Sequence, residues 1–391
     1  MHFLDIERRV SLAGSLHFRL KEKYGKKARP KNTRDWKTII SLREHFASSR
    51  SDEDATCVAF SGNLDIVGRN IPCFVKIAYK DDKDFAKSAA AERRILDTEI
   101  RKIIEKGVTP CLPLCIETFR VRNDTGIMNW KLYRDVVEGI DSRGDAGSLK
   151  KRRFIDMLVT ENCGKMTLRE YVTSPVRDGN QIAQIFLMLF HALEVLSERG
   201  ICHGDLHFRN VVLYETPPTV VSFGGRVFET TLVPVIVDWD LARSTRVKNC
   251  RYEHVGIFDH PHPLFDLFGL IRTLFYTEFQ QRHHGCGGWK AKIMTSPETK
   301  DFLLQIQKSL EEVKRKHPWL FRLEFEDEDG EKVKCVQQTP YVPPHAGGRP
   351  LAKWPSDVQT LTPTFRRLQD IAHEVIEKNG GVVSGEPLFY F

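Results

Sequence analysis

The feature that most narrows what this chain can become is an eight-residue run, His203-Gly204-Asp205-Leu206-His207-Phe208-Arg209-Asn210, set between a helix-like segment and an apolar strand. It places a carboxylate and a carboxamide five positions apart in one tight loop. Such a pair suits taking a proton from a hydroxyl and holding a cation beside it. The plainer use of Asp and Asn there is turn capping, so the flanks decide. Upstream, residues 181–199 put Ile182, Ile185, Phe186, Leu189, Leu193 and Leu196 on one helical face, and Gly200 ends it. Downstream, residues 211–214 read as a short strand and 215–231 as a polar, glycine-containing excursion. The apolar run 233–237 then ends in Asp238-Trp239-Asp240. A carboxylate at the tip of a buried strand is well placed to bind a divalent cation, which makes Asp238 the natural companion of Asn210. Asp266 lies inside an apolar helical stretch, where a buried acid must accept hydrogen bonds; the backbone of the octet is the expected donor.

The first half reads as strands around one helix. Residues 56–60, 64–68 and 72–77 are β-prone, split by Ser61-Gly62-Asn63 and Arg69-Asn70, and predict a meander. Lys76 sits among apolar neighbours in the third run, where a lysine needs an anion or must snorkel from an edge. Residues 85–106 predict a helix carrying Glu92 and Glu99, seven apart and on one face. Either could pair with Lys76; Glu99 is favoured, because residues 99–110 lead into the strand-like stretch 112–116. Residues 154–160 return to β character, and Glu161-Asn162-Cys163-Gly164 breaks it in a turn whose backbone groups suit reading a purine edge.

Residues 1–50 read as an extension, with a short amphipathic helix at 38–46. They carry thirteen Lys/Arg against five Asp/Glu, which accounts for the whole net charge of +7. A basic arm suits weak contact with nucleic acid or an acidic partner, or plain solvation. Residues 117–153 read as a surface insertion ending in Lys150-Lys151-Arg152-Arg153, a weak import-signal pattern. The tail predicts a helix at 296–316, a hairpin at 324–334, an extended Pro/Gly-rich segment at 339–355 and a last helix at 364–378.

Composition is that of a soluble globular chain, 391 residues with 41% apolar and 28% charged. No run of about 18 apolar residues is evident, so no membrane association is expected. The nine cysteines have no regular spacing, which points to reduced thiols and an intracellular, cytoplasmic or nuclear location. His283-His284-Gly285-Cys286 lacks a fourth ligand for zinc.

In chain order, Lys76 in a third strand, a Glu in the next helix, Thr160-Glu161-Asn162-Cys163, His203-Gly204-Asp205 with Asn210, and Asp238 closing a strand resemble the protein-kinase-like superfamily over about residues 55–280. Gly107-Val108-Thr109-Pro110 and His203-Gly204-Asp205-Leu206-His207 most resemble the divergent serine/threonine kinases of large DNA viruses. The His after Asp-Leu is shared with haspin-like kinases. The resemblance implies an α+β, bilobal fold: an N-terminal extension (1–50), a small antiparallel-sheet N-lobe with one main helix (51–162), a mainly helical C-lobe core (163–290) and a C-terminal helical part (291–391). It implies ATP and Mg²⁺ as cofactors, a protein Ser/Thr hydroxyl as acceptor, and a host-cell location if the chain is viral. By the same resemblance Asp205 is the catalytic base and Asn210 and Asp238 hold magnesium. Lys76 contacts phosphates, Glu99 orients it, and Gly62, Glu161 and Cys163 lie against the nucleotide.

The chain departs from that pattern in several places. It lacks Gly-x-Gly-x-x-Gly, leaving Gly62 and Gly68, and no Ala-Pro-Glu follows Asp238. It has His-Gly-Asp for His-Arg-Asp and Asp-Trp-Asp for Asp-Phe-Gly. These features also resemble small-molecule phosphotransferases of the aminoglycoside and choline kinase type, which stand as the second reading. A pseudokinase scaffold is the third.

Overall fold

In a computed structural model the chain is α+β, and the structure describes residues 3–24, 39–46, 57–66, 69–78, 83–122, 131, 154–174, 178–249, 264–271, 297–316, 322–326, 332–336, 362–381, 383 and 385–391. The basic quartet 150–153, the His/Cys run 283–286, Gly68 and the 339–355 segment lie outside the described residues. Two compact units divide the chain: one of residues 6–106 and 113–163, the other of residues 1–5, 107–112 and 164–391.

The first unit is built on a five-stranded antiparallel sheet, in the order β1 (Ile40–Phe46), β2 (Cys57–Ile66), β3 (Arg69–Ala78), β5 (Phe154–Glu161), β4 (Cys115–Arg122). Two expectations are corrected here. Residues 56–60 and 64–68 are not separate runs, because β2 continues through Ser61-Gly62-Asn63. Residues 40–46 of the expected helix 38–46 form the edge strand β1 instead. The β1–β2 register slips between Leu42 and Glu44, opposite Gly62 and Ser61, and a β-carbon on Gly62 would stand 2.7 Å from the Ser41 carbonyl oxygen. Gly62 therefore permits a bulge inside a strand pair instead of breaking the strand.

Of the expected extension 1–50, the described stretches 6–24 and 39–46 belong to this unit. Helix α1 (Ile6–Tyr24) belongs to this unit, and its Arg9 is 1% exposed. Arg9 Nε donates to Glu161 Oε2 at 3.0 Å and its Nη2 donates to Glu161 Oε1, while the Leu114 amide donates to the same carboxylate at 2.7 Å. A buried charge needs this kind of full pairing. Strand β4 also takes residues 117–122 out of the expected surface insertion. The main helix runs as α2 (Lys83–Arg94), a π-helical segment (Ile95–Ile100) and α3 (Arg101–Glu105).

The second unit centres on α5 (Gly179–Glu198), after the short β6 (Met166–Thr167) and α4 (Leu168–Thr173). Helix α4 starts with a reciprocal Thr167–Glu170 capping box. Helix α5 starts at Asp178, which accepts from the Asn180 amide at 2.9 Å, and stops at Gly200 with φ +62°. Among the described residues α5 is long and apolar enough to cross a membrane, but most of it is buried inside the protein as a core helix. Next come β7 (Ile201–Cys202) and the octet, then β8 (Val211–Phe223) and β9 (Arg226–Ile236). The expected polar excursion is thus a long hairpin turning at Gly224-Gly225, which have φ +55° and +82°. Strand β10 (Arg243–Ser244) pairs with β7, and α6 (Phe265–Ile271) follows. The tail contains α7 (Pro297–Lys316), the hairpin β11 (Arg322–Glu326) and β12 (Lys332–Val336), α8 (Thr362–Lys378) and β13 (Phe389–Tyr390), which joins β8 in parallel. Helix α8 is tied down by Glu194, which accepts from Arg366 at 3.0 Å and Gln369 at 2.6 Å.

Candidate functional site

In the second unit the octet is folded back on itself. Asn210 Nδ2 donates to the Asp205 carbonyl at 2.9 Å, which orients the amide and leaves Oδ1 as its acceptor end. The Val237 amide donates to the Asn210 carbonyl at 2.9 Å, so Asn210 and Asp238 stand on paired stretches of backbone. Asp238 has φ +66°, among the described residues the one non-glycine in the left-handed region. Asp is among the non-glycine residues that tolerate this backbone region, and backbone conformations of this kind cluster at functional sites.

Three residues hold this arrangement. Asp266 is buried on α6 and accepts from the His203 amide at 2.6 Å and the Gly204 amide at 2.9 Å, with Cys202 Sγ at 3.5 Å. This is the support role expected of it. Burial pushes its carboxyl above the ordinary value, opposed by His203 and by the two amides. His203 spans the loop: its Nδ1 accepts from the Asp205 amide at 3.3 Å and its Nε2 donates to the Val237 carbonyl at 2.9 Å. Trp239, 1% exposed, stacks edge-on against His203 at 4.9 Å and donates from Nε1 to the Ile236 carbonyl at 2.9 Å. Past Asp238, Asn249 Nδ2 donates to the Asp240 and Ala242 carbonyls at 2.9 and 3.0 Å. Sequence reasoning left His203, Trp239 and Asn249 without roles. The apolar Ile201-Cys202 before His203 is a signal of its burial, whereas nothing local marks Asn249.

Asp205 is about one-third exposed at its side chain (34%), and His207 Nε2 faces its Oδ2 at 3.8 Å. Asn210 Oδ1 and the Asp238 carboxylate are hard oxygen donors. Such a pair fits magnesium, which is held by one or two protein groups together with phosphate oxygens. No group of three His, Cys, Asp or Glu that could hold a metal occurs among the described residues.

In the first unit Lys76 lies in β3, between Ala59 of β2 and Leu158 of β5. Its Nζ meets Glu92 Oε1 at 2.9 Å, and both side chains are nearly buried. The favoured partner Glu99 is thereby corrected to Glu92. The two acids do not share one α-helical face, because Glu99 lies inside the π-helical segment that follows the turn carrying Glu92. A wider turn breaks the seven-residue phase of an α-helix. At 1.5 Å rise per residue the two would in any case stand about 10 Å apart along the axis.

The other residues expected at a nucleotide have structural duties here. Gly62 is mid-strand at the bulge, not in a covering turn. The Glu161 side chain is engaged by Arg9 and the Leu114 amide, and its own amide donates to the Leu114 carbonyl at 3.2 Å. Cys163 Sγ lies 3.5 Å from the Glu161 carbonyl. Burial, then Glu161, pushes the Cys163 thiol well above its ordinary value, which removes thiolate chemistry there.

Compared with known families and curated proteins, the chain matches no family model and no curated sequence.

Proposed function

We propose that the chain is an ATP- and Mg²⁺-dependent phosphotransferase with a protein-kinase-like fold that acts on Ser/Thr hydroxyls of proteins. The observation that carries this reading is the folded-back octet. One short loop carries the partly exposed Asp205 carboxylate, ties down the Asn210 amide nitrogen so that Oδ1 is its acceptor end, and runs beside the strand end bearing Asp238. The second support is the nearly buried Lys76–Glu92 pair, a cation held in an interior place against an acid.

Bound MgATP would supply the transferable phosphoryl group and the cation that offsets its charge. Asn210 and Asp238 would hold the metal, and Lys76, kept in place by Glu92, would hold phosphate oxygens. Asp205 accepts the hydroxyl proton or orients the hydroxyl, and the Asp266–His203–Trp239 framework fixes the loop from which it acts. Positioning and charge neutralisation carry most of the rate in such chemistry.

Gly204, a feature shared with small-molecule kinases, has φ +84° and gives its amide to Asp266. A backbone reason therefore accounts for this glycine, and it does not choose the acceptor. The test is transfer from γ-labelled ATP with Mg²⁺ to basic proteins, and in parallel to aminoglycosides and choline, beside Asp205→Ala. Labelled protein lost in the variant supports the reading. Labelled small molecules alone would move the chain to the second class, and no transfer by wild type would remove both.

A further inference from the structure

The proposed chemistry leaves two ionisable side chains of the octet, His207 and Arg209, without a part, and of these the His207 ring faces Asp205. The His207 backbone opens the single 3₁₀ turn Phe208–Asn210, and its Nδ1 accepts from the Arg209 amide at 3.2 Å. A ring nitrogen that accepts a backbone N–H carries no proton, so the neutral ring has its proton on Nε2. That Nε2 is the atom facing Asp205 Oδ2 at 3.8 Å, and the two side chains are partly exposed, 24% and 34%. The separation is too long for a hydrogen bond, and catalytic contacts of this kind shorten when substrate is bound. From this we infer that His207 is a positioning residue for Asp205. Its cap to Arg209 fixes the ring's tautomer and plane, and the ring in turn directs an N–H dipole at the carboxylate. The contact sets the carboxylate's rotamer without removing its charge, since a neutral ring does not compete for the proton that Asp205 must accept.

The inference rests on the phosphotransfer reading for its kinetic consequence but not for the contact itself. Two variants separate the two jobs of the ring. His207→Asn keeps an acceptor at the capping position, where Asn is among the best residues, and removes the donor that faces Asp205. His207→Gln has its amide nitrogen near the place of Nε2 and gives up the cap. With MgATP and a protein acceptor, His207→Asn should lower kcat by roughly tenfold, the worth of one ordinary hydrogen bond. Its KM for ATP should not change and its melting should be that of wild type. His207→Gln should recover most of that kcat although it melts lower. The reverse order, with Asn active and Gln impaired, or equal kcat in the two, would overturn the inference and leave His207 as a cap only.

A readout independent of activity is the ¹⁵N spectrum of the histidine rings, with the His207 signal identified by its loss in His207→Asn. The signal should be that of the Nε2-protonated tautomer and should move in Asp205→Asn. An Nδ1-protonated ring, or a signal indifferent to Asp205→Asn, would overturn the contact. Failure of wild type to transfer phosphate would count against the phosphotransfer reading alone, because the ring spectrum still decides the contact.

Discussion

Asp266→Asn changes one atom type in the interior and tests whether the octet is held as described. The wild-type carboxylate accepts from two buried backbone amides at 2.6 and 2.9 Å. An asparagine retains one oxygen and turns an NH₂ toward the other amide, donor against donor. Losing one hydrogen bond to a charged acceptor removes about 1.5–3 kcal/mol, and the amide left unsatisfied in the interior costs about 1–3 kcal/mol more. The expected loss is about 3–5 kcal/mol, a large part of the roughly 5–15 kcal/mol that stabilises an ordinary domain. Urea unfolding followed by tryptophan fluorescence reads it, since Trp239 packs on the same loop. A midpoint within the equivalent of about 1 kcal/mol of wild type, together with unchanged transfer activity, would refute the clamp.

Three other outcomes follow from the same geometry. Arg9→Met leaves Glu161 without its buried cation and should destabilise by about 3–5 kcal/mol, whereas Arg9→Met with Glu161→Leu should recover much of that in the same unfolding assay. Equal stability of wild type and Arg9→Met would show α1 to be a loose appendage. Glu92→Ala should lower stability by about 3 kcal/mol and weaken nucleotide binding measured by calorimetry, while Glu99→Ala changes each little; equal effects would reject the assigned pair. Burial, the largest cause, lowers the pKa of His191 from 6.5, opposed by its bond to the Val108 carbonyl at 3.1 Å. The unfolded chain therefore binds more protons below pH 6.5, and stability falls as pH drops from 6.5 toward the lowered value. His191→Gln, which keeps an N–H donor, should flatten that acid limb of a melting-against-pH curve; an unchanged slope would assign it elsewhere.

What the sequence made legible was what depends on local order. The α5 periodicity, the strand ending at Asp238, the tail helices and the burial of Asp266 against the octet could all be read from spacing and apolar context. Its failures came from contacts between distant residues. Nothing near Thr38 to Phe46 distinguishes an amphipathic helix from an edge strand, since the partner that decides it, β2, lies across residues 47–56. Arg9 looks like one more basic residue of a charged arm until Glu161, 152 positions away, is seen to meet it. Glu99 was favoured over Glu92 because residues 99–110 lead toward the next strand, and nothing in that order along the chain shows which turn of the helix faces Lys76. Gly62 was read as a breaker because the close approach of Ser41 that requires a glycine belongs to another strand.

The central claim is that Asp205 activates the acceptor hydroxyl while other residues hold the nucleotide. The most direct measurement is single-turnover transfer from γ-labelled ATP by wild type and Asp205→Asn, with Mg²⁺-ATP binding measured on the same samples. The account predicts transfer by wild type, a fall of about 10²–10⁴-fold in the variant, the range for a lost general base, and unchanged nucleotide affinity. Equal transfer by the two proteins, or none by either while nucleotide still binds, would contradict it.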